Sequence, residues 1–121
     1  MKLSEAIRLG SLLRPQSFWR LWDGKTSCAL GAAYEAAGLL PKLPDEHALY
    51  AIFPLLRLRR RCPDCSYLDR VKNVVTHLND QHKFTREQIA EWVTTVEPEE
   101  PPQPQENFGR SPCEFFDLFF R

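Results

Sequence analysis

The sequence predicts a small, mainly α-helical domain stabilised by a metal ion, and three observations lead to this prediction. The chain has 121 residues with 43% hydrophobic content, which is enough for one modest core. Apolar residues recur at helical spacing in segments bounded by cap residues, glycine or proline. Two cysteines and two histidines follow one another in the order of metal ligands. A metal crosslink is a usual supplement to the core of so short a chain.

Three helices are predicted before the cysteines. The first begins with Ser4 as N-cap, places Ala6, Ile7, Gly10 and Leu13 on its inner side and ends at Pro15. The second covers 28–37 and stops at Gly38, and the third covers 45–53. Leu55 to Arg61 is expected to be extended. Between the first two helices, three aromatic residues are expected to cluster before the Asp23-Gly24 turn: Phe18, Trp19 and Trp22.

The candidate metal ligands are Cys62, Cys65, His77 and His82, in the pattern C-x2-C-x11-H-x4-H. A tight Cys-Pro-Asp-Cys turn presents two thiolates, and neighbouring turns of one helix end present two imidazoles. Two sulfur and two nitrogen ligands suit one tetrahedral Zn²⁺, so Zn²⁺ is the predicted cofactor. The alternative is a chance coincidence, but four ligands in this order are much more specific than a single CxxC pair.

Residues 62–82 resemble a C2H2 zinc finger. Such fingers place one large apolar residue between the cysteine pair and the helix, and another three residues before the first histidine; Leu68 and Val74 occupy these places. The Cys-to-His spacer is one residue shorter than in the common finger, and an aromatic is usual where Leu68 stands. The resemblance implies a single, atypical finger.

Two helices are predicted around and after the histidines. The first carries an apolar stripe wider than a free-standing finger needs, so it should pack on more protein: Val71, Val74, Val75 and Leu78. The second begins with Thr85 as N-cap and Gln88 reaching back to it, with Phe84 stapling to Ile89. It continues with Trp92, Val93 and Val96 on one face.

The net charge of zero conceals a basic segment. Residues 57–86 carry a net charge of +5 (eight basic against three acidic residues), whereas 87–121 carry −6 (two against eight). A basic cluster at a metal site is typical of phosphate contacts, although a solvated surface is an equally good interpretation. The finger resemblance implies that helix positions −1, 3 and 6 read bases. Counted back from His77, these positions are Arg70, Asn73 and Thr76, which the resemblance therefore makes candidate base contacts. Since one finger buries little DNA, further phosphate contacts, or dimerisation, would be needed. The candidate phosphate contacts are Arg57, Arg59, Arg60 and Arg61.

The leading hypothesis is a non-enzymatic regulator that binds nucleic acid, DNA in the first place. Cys28 and His47 lack catalytic partners in the sequence, and four ligands would leave no open metal position for water. No apolar run is long enough for a membrane span, and no apolar leader follows Met1, so we expect a cytoplasmic, nucleoid or nuclear protein without a membrane partner.

The competing hypothesis is an adaptor that binds a protein partner through its C-terminal end. Residues 97–110 are a Pro- and Glu-rich spacer, and 111–121 are an aromatic peptide. Its segment Phe115-Phe116-Asp117-Leu118-Phe119 weakly resembles the QLDLF-type peptides by which bacterial proteins dock on the replication sliding clamp: Asp117, Leu118 and Phe119 match, and Phe115 replaces the usual Gln. The peptide could also bind a different partner or pack on its own domain. The domain itself is predicted to comprise a helical part, 1–56, and the zinc unit with its following helix, 57–96. The candidate partner-binding residues are Phe115, Phe116, Leu118, Phe119 and Phe120.

Overall fold

The computed structural model describes residues 1–98, and this part of the chain is mainly α-helical, as predicted. Most of the predicted spacer and the whole aromatic peptide lie outside the described residues. No helix within residues 1–98 is long and apolar enough to cross a bilayer. In chain order the elements are α1 (Leu3–Ser11), α2 (Ala29–Ala36), α3 (Glu46–Ile52), a 3-10 turn (Pro54–Arg57), β1 (Arg59–Arg61), β2 (Leu68–Arg70), α4 (Val71–Asp80) and α5 (Arg86–Val96).

Helix α4 connects the metal-ligand segment to the rest of the domain. It packs against α2, α5 and the 3-10 turn, while α1 packs against α2 and α5. The predicted apolar stripe is confirmed, since Val71, Val74, Val75 and Leu78 are all fully buried. A single core therefore contains side chains from α1 through α5, and α4 is one of its members rather than the helix of an isolated finger.

The contact between α1 and α2 depends on Gly10. A Cβ atom at this position would lie 1.8 Å from the carbonyl oxygen of Ala32, closer than any two such atoms can come. The two backbones can therefore approach this closely only because α1 has no side chain here. Gly31 has the same role in α2, where an added Cβ would lie 2.0 Å from the carbonyl oxygen of Leu21.

Several predicted helix ends are confirmed. Gly38 has a φ of +74°, the left-handed conformation that ends a helix, just after the C-cap of α2. The Asp45 carboxylate accepts from the third-position backbone N–H of α3. Thr85 and Gln88 form the reciprocal cap at the start of α5. These caps are local in the chain, which is why the sequence predicts them.

The prediction for the start of α1 is wrong. The helix begins at Leu3, and Ser4 lies inside its first turn, where it is buried. The backbone N–H and the hydroxyl of Ser4 both donate to the Glu97 carboxylate, at 2.9 and 2.8 Å. Glu97 is thus tied to α1 and belongs to the folded domain, although the sequence places it in the spacer. The Ser4 hydroxyl is therefore used in a hydrogen bond to a residue distant in sequence and not in capping the helix.

Three further expectations differ from the structure. Leu13 follows α1 and is 59% exposed, so it is not part of the inner face. The segment from Leu55 starts as a 3-10 turn and becomes extended only at β1, because Leu55 and Leu56 turn into the core. The expected aromatic cluster is divided, since Trp22 is half-buried while Phe18 and Trp19 lie exposed.

Two buried polar side chains hold the loop between α1 and α2. The amide of fully buried Asn79 accepts from the backbone N–H of Ala29 and donates to the carbonyl of Ser17. The guanidinium of Arg86, only 8% exposed, donates to the hydroxyl and carbonyl of Ser27 and to two other carbonyls of this region. Buried polar groups satisfied in this way fix the position of the loop relative to α4 and α5.

Candidate metal centre

The four candidate ligands come from three adjacent pieces of the fold. Strand β1 leads into Cys62, and the turn that joins β1 to β2 carries Cys65. The last turn of α4 begins with His77, and His82 follows the C-cap of this helix. Lys83 then adopts a φ of +57° and turns the chain away toward α5. The hairpin and the end of α4 therefore present their ligands toward one another.

The four ligand atoms lie close enough together to surround one metal ion. Nε2 of His77 lies 3.2 Å from Sγ of Cys65 and 3.1 Å from Nε2 of His82. All four ligand atoms lie within 4.8 Å of one another. With usual Zn–N and Zn–S bond lengths, a tetrahedral site needs separations of roughly 3.3 to 3.8 Å. The four side chains therefore could hold a metal ion, and their number and chemistry are consistent with zinc.

The two thiols differ in environment. Burial raises the pKa of Cys62, which is 3% exposed. The backbone N–H of Tyr67, followed by the two histidines, lowers the pKa of Cys65 to about 6. Backbone N–H groups reach both sulfurs, from Asp64 at 3.4 Å and from Tyr67 at 3.5 Å. Such donors favour the thiolate, which is the form that binds a metal.

Asp64 adds a carboxylate behind one imidazole. Its Oδ2 lies 3.2 Å from Nδ1 of His82. A hydrogen on Nδ1 would be bonded to this carboxylate, which leaves the lone pair of Nε2 directed at the other ligands. Tyr67 supports the second imidazole, since its ring stacks on that of His77 with centroids 4.4 Å apart. Both histidine rings are therefore oriented by residues of the hairpin turn.

Leu68 does not have the place that the finger resemblance implies. It is 44% exposed, whereas Val74 is fully buried. Leu68 pairs with Arg61 across the two strands and shares their outer face. The core beneath the hairpin is formed by α4 and the 3-10 turn, so the hairpin contributes little apolar surface of its own.

The predicted arginine contacts lie on and beside the hairpin. Arg59 is directly opposite Arg70 in the register of β1 and β2, and both are exposed. Arg61 lies two residues further along β1, on the same face as Arg59. Arg60 points to the other face, opposite Asp69, and is half-buried. Arg57 lines a cavity together with His47, Tyr50 and Arg70.

Asn73 and Thr76 lie one turn apart on α4, and both are half-buried. The Thr76 hydroxyl donates to the Lys72 carbonyl of its own helix at 3.2 Å. Both residues line a groove whose other walls include Trp19 and Tyr67. The predicted base-reading positions thus border a groove next to aromatic side chains rather than an open helix ridge.

Two basic residues of the 57–86 segment are not available for a charged ligand. Arg86 is buried between α5 and the preceding loop. Lys72 pairs with Glu46 on α3, with Nζ and Oε2 at 3.2 Å. The exposed positive charge therefore concentrates on the hairpin arginines and Lys83.

Comparisons with protein-family models, with curated proteins and with solved structures give no match to this chain.

Sequence reasoning missed three residues at this site. Asp64 lies within the Cys-Pro-Asp-Cys turn, and a carboxylate between two ligands is a signal that could have been used. Tyr67 follows the turn by two residues and could also have been considered. Trp19 had no such signal, because it reaches the groove only through the folding of the loop between α1 and α2.

Proposed function

We propose that this protein is a non-enzymatic regulator that binds nucleic acid, DNA in the first place, through a zinc-dependent hairpin and the start of α4. The observation that carries the proposal is the pairing of Arg59 with Arg70 across the two strands. Like charges directly opposite each other destabilise a strand pair. Neither arginine has an ion-pair partner within residues 1–98. The pKa of Asp69 is lowered by the backbone N–H of Arg70 and also by the charge of Arg59. The pKa of Glu46 is lowered by Lys72 and also by the charge of Arg70. These carboxylates offset part of the arginine charge, and an external anion is the natural partner for the rest.

A phosphate group suits this pair well. Two arginines paired on one face of the strands can each donate to phosphate oxygens, and such charge-assisted bonds are stronger than neutral ones. Arg61 on the same face and Arg57 beside Arg70 extend the positive surface along the hairpin. Repeated anionic groups, as in a nucleic-acid backbone, match several arginines at once, whereas a single small anion would match only one pair.

Zinc has a structural role in this proposal. Two thiolates and two imidazoles complete a tetrahedral sphere and leave no position for a reactive water molecule. The order of strand, strand and helix around the ligands supports the resemblance to C2H2 zinc fingers. The ion would fix the hairpin relative to α4 and thereby hold the arginine pair in place.

The experiment is a salt-dependent binding measurement with the full chain loaded with Zn²⁺. Each phosphate contact contributes about 0.9 to the slope of log affinity against log salt for duplex DNA, and about 0.7 for a single strand. We expect Arg59→Ala to weaken binding to every sequence and to reduce this slope by about one contact. Arg8→Ala is the matched control, because Arg8 already pairs with Glu87 and Glu91 on α5. It should leave the slope unchanged.

Arg70 has a second expected role, the reading of a base. Arg70→Ala should remove roughly 1–3 kcal/mol of discrimination at one position, in addition to the general loss. If Arg59→Ala and Arg70→Ala weaken the binding of all sequences equally, Arg70 does not read a base and binds only through its charge. Absence of binding at low salt would reject the proposal. Binding to a protein partner that is lost on truncation at Glu106 would favour the adaptor hypothesis instead.

A further inference from the structure

Trp19 is held at the surface in an unfavourable backbone conformation. Its side chain is 66% exposed, and its φ of +63° lies in the left-handed region that non-glycine residues seldom adopt. The backbone N–H of Trp19 donates to the carboxylate of Asp80, which is 6% exposed, at 2.9 Å. The buried Asn79 amide binds the neighbouring Ser17 carbonyl. The end of α4 therefore fixes the backbone that carries this exposed aromatic ring.

This ring forms one wall of the groove beside the metal centre. The groove has a volume of about 320 Å³, which is at the small end of ligand sites. Tyr67 provides a second aromatic wall, and hydrogen-bonding side chains lie between the two: Asn73, Thr76 and Gln81. A flat ring with polar edges can stack on the indole and bond to these groups at the same time.

Basic side chains border the groove, while the one carboxylate in its lining, Asp80, already accepts from the backbone N–H of Trp19 and from the Asn79 amide. Nζ of Lys83 lies 5.1 Å from the centroid of the Trp19 ring and 4.7 Å from that of Phe18. Strand β2 leads from Tyr67 at the groove to Arg70, opposite Arg59. An aromatic platform with a basic border on both sides is typical of proteins that bind single-stranded nucleic acid.

We propose that the groove between Trp19 and Tyr67 binds an unpaired base of single-stranded nucleic acid, with Trp19 as the stacking platform. This inference rests on the proposed nucleic-acid binding and specifies its ligand. The Asn73 amide bonds to the edge of the base, the Thr76 hydroxyl accepts from it, and the hairpin arginines contact the adjoining phosphates. A duplex buries its base faces, so it cannot use the platform without losing a base pair.

The test compares Trp19→Asn with wild type on a single strand of about 8 nucleotides and on the matching duplex. Asparagine tolerates the left-handed conformation, so this variant should fold with an unchanged melting midpoint. We expect its affinity for the single strand to fall about 5- to 100-fold while its duplex affinity stays within about twofold. Trp19→Phe should keep most of the affinity. Leu12→Ala, which removes a side chain that is 81% exposed elsewhere, is the control.

Intrinsic fluorescence gives a second readout. The chain has three tryptophans, so replacing Trp22 and Trp92 by Phe leaves Trp19 as the only reporter. Stacking of a base should quench its emission at the same concentrations that saturate binding. Unchanged single-strand affinity of Trp19→Asn, or saturation without quenching, would overturn this inference. If Trp19 is not involved but Arg59→Ala still loses binding, the proposed nucleic-acid binding stands without the Trp19 platform. If the wild-type protein does not bind nucleic acid, both proposals are rejected.

Discussion

Removing the metal ion should unfold the hairpin first, because the hairpin has almost no core of its own. Each strand has three residues, and two such strands are not stable alone in water. Leu68 is exposed, and Cys62 is the buried residue of the segment from 59 to 70. Two features hold the hairpin against α4. The backbone N–H of Val71, the first residue of α4, donates to the carbonyl of Leu58 at 2.7 Å, and the four candidate ligands join the hairpin to the other end of the helix.

The size of the effect follows from comparing the metal with the core. Structural zinc contributes roughly 10–16 kcal/mol to the folding of small zinc units at neutral pH. The four buried side chains of α4 contribute about 1.5–3 kcal/mol each, which is a similar gross amount that does not require the metal. A whole domain of this size is stable by only about 5–15 kcal/mol. The metal-free protein should therefore keep helices but be close to marginal stability.

The assay is thermal unfolding followed by circular dichroism, with and without a chelator and after addition of Zn²⁺. Each kcal/mol of lost stability lowers the midpoint by roughly 4–8 °C in a domain of this size, so even a loss of about 5 kcal/mol, the low end of a domain's total stability, lowers it by roughly 20–40 °C. Amide hydrogen exchange should show residues 59–70 opening before α4. Cys65→Ser and His77→Ala should reproduce the effect. Cys28→Ser is the matched control, because Cys28 is buried at the N-cap of α2, where serine is favoured.

Replacing Asp64 should weaken the metal site without removing a ligand. Asp64→Asn keeps all four ligands but removes the carboxylate beside His82. We expect a metal affinity about 10- to 100-fold lower, with normal folding in excess Zn²⁺.

Two results would refute the structural role of the metal ion. One is a melting curve and amide exchange that do not change on chelation, and the other is a purified protein that contains no metal and is fully folded.

Three other predictions concern the fold. Gly10→Ala should lower the free energy of unfolding by about 3 kcal/mol or more in a urea titration, because the new Cβ would overlap the Ala32 carbonyl. An unchanged urea midpoint would show that α1 and α2 do not approach each other this closely. Asn79→Ala should cost a similar amount, about 3 kcal/mol, by leaving buried groups unpaired, and an unchanged denaturation curve would show that water replaces the amide. The hydrogen bond from Arg14 lowers the pKa of Glu35 from its ordinary value of 4.5, so the stability this pair provides is present above that pH and is lost as the pH falls below it. Glu35→Gln should flatten this part of the stability curve, and a variant with the wild-type acid dependence would contradict the assignment.

The ligand set and the helix caps could be predicted because their signals are local. Cys62 and Cys65 are separated by one turn, and the cap formed by Thr85 and Gln88 is complete within four residues. The stripe on α4 is likewise a property of one helix, since its spacing places the buried side chains on one face. Geometry within one element follows directly from residue type and spacing, so the sequence suffices.

The burial of a particular polar residue could not be predicted in this way. Arg86 belongs to the basic segment by sequence, yet it is buried against carbonyl groups from before α2. The local pattern predicts Ser4 as a cap, yet it binds Glu97 at the other end of the domain. In each case the partner is far away in sequence, and nothing in the local pattern distinguishes a solvated side chain from one that meets its partner only after folding.

The sequence by itself determined the mainly helical class, the four candidate ligands and the basic character of the hairpin, because composition, spacing and charge do not depend on the path of the chain. Only the tertiary structure decided that Arg59 faces Arg70 and that Trp19 borders the groove on α4. Strand register and loop placement are set by which surfaces pack together and which buried groups find partners. Register and loop placement therefore depend on contacts between segments that are far apart in the sequence.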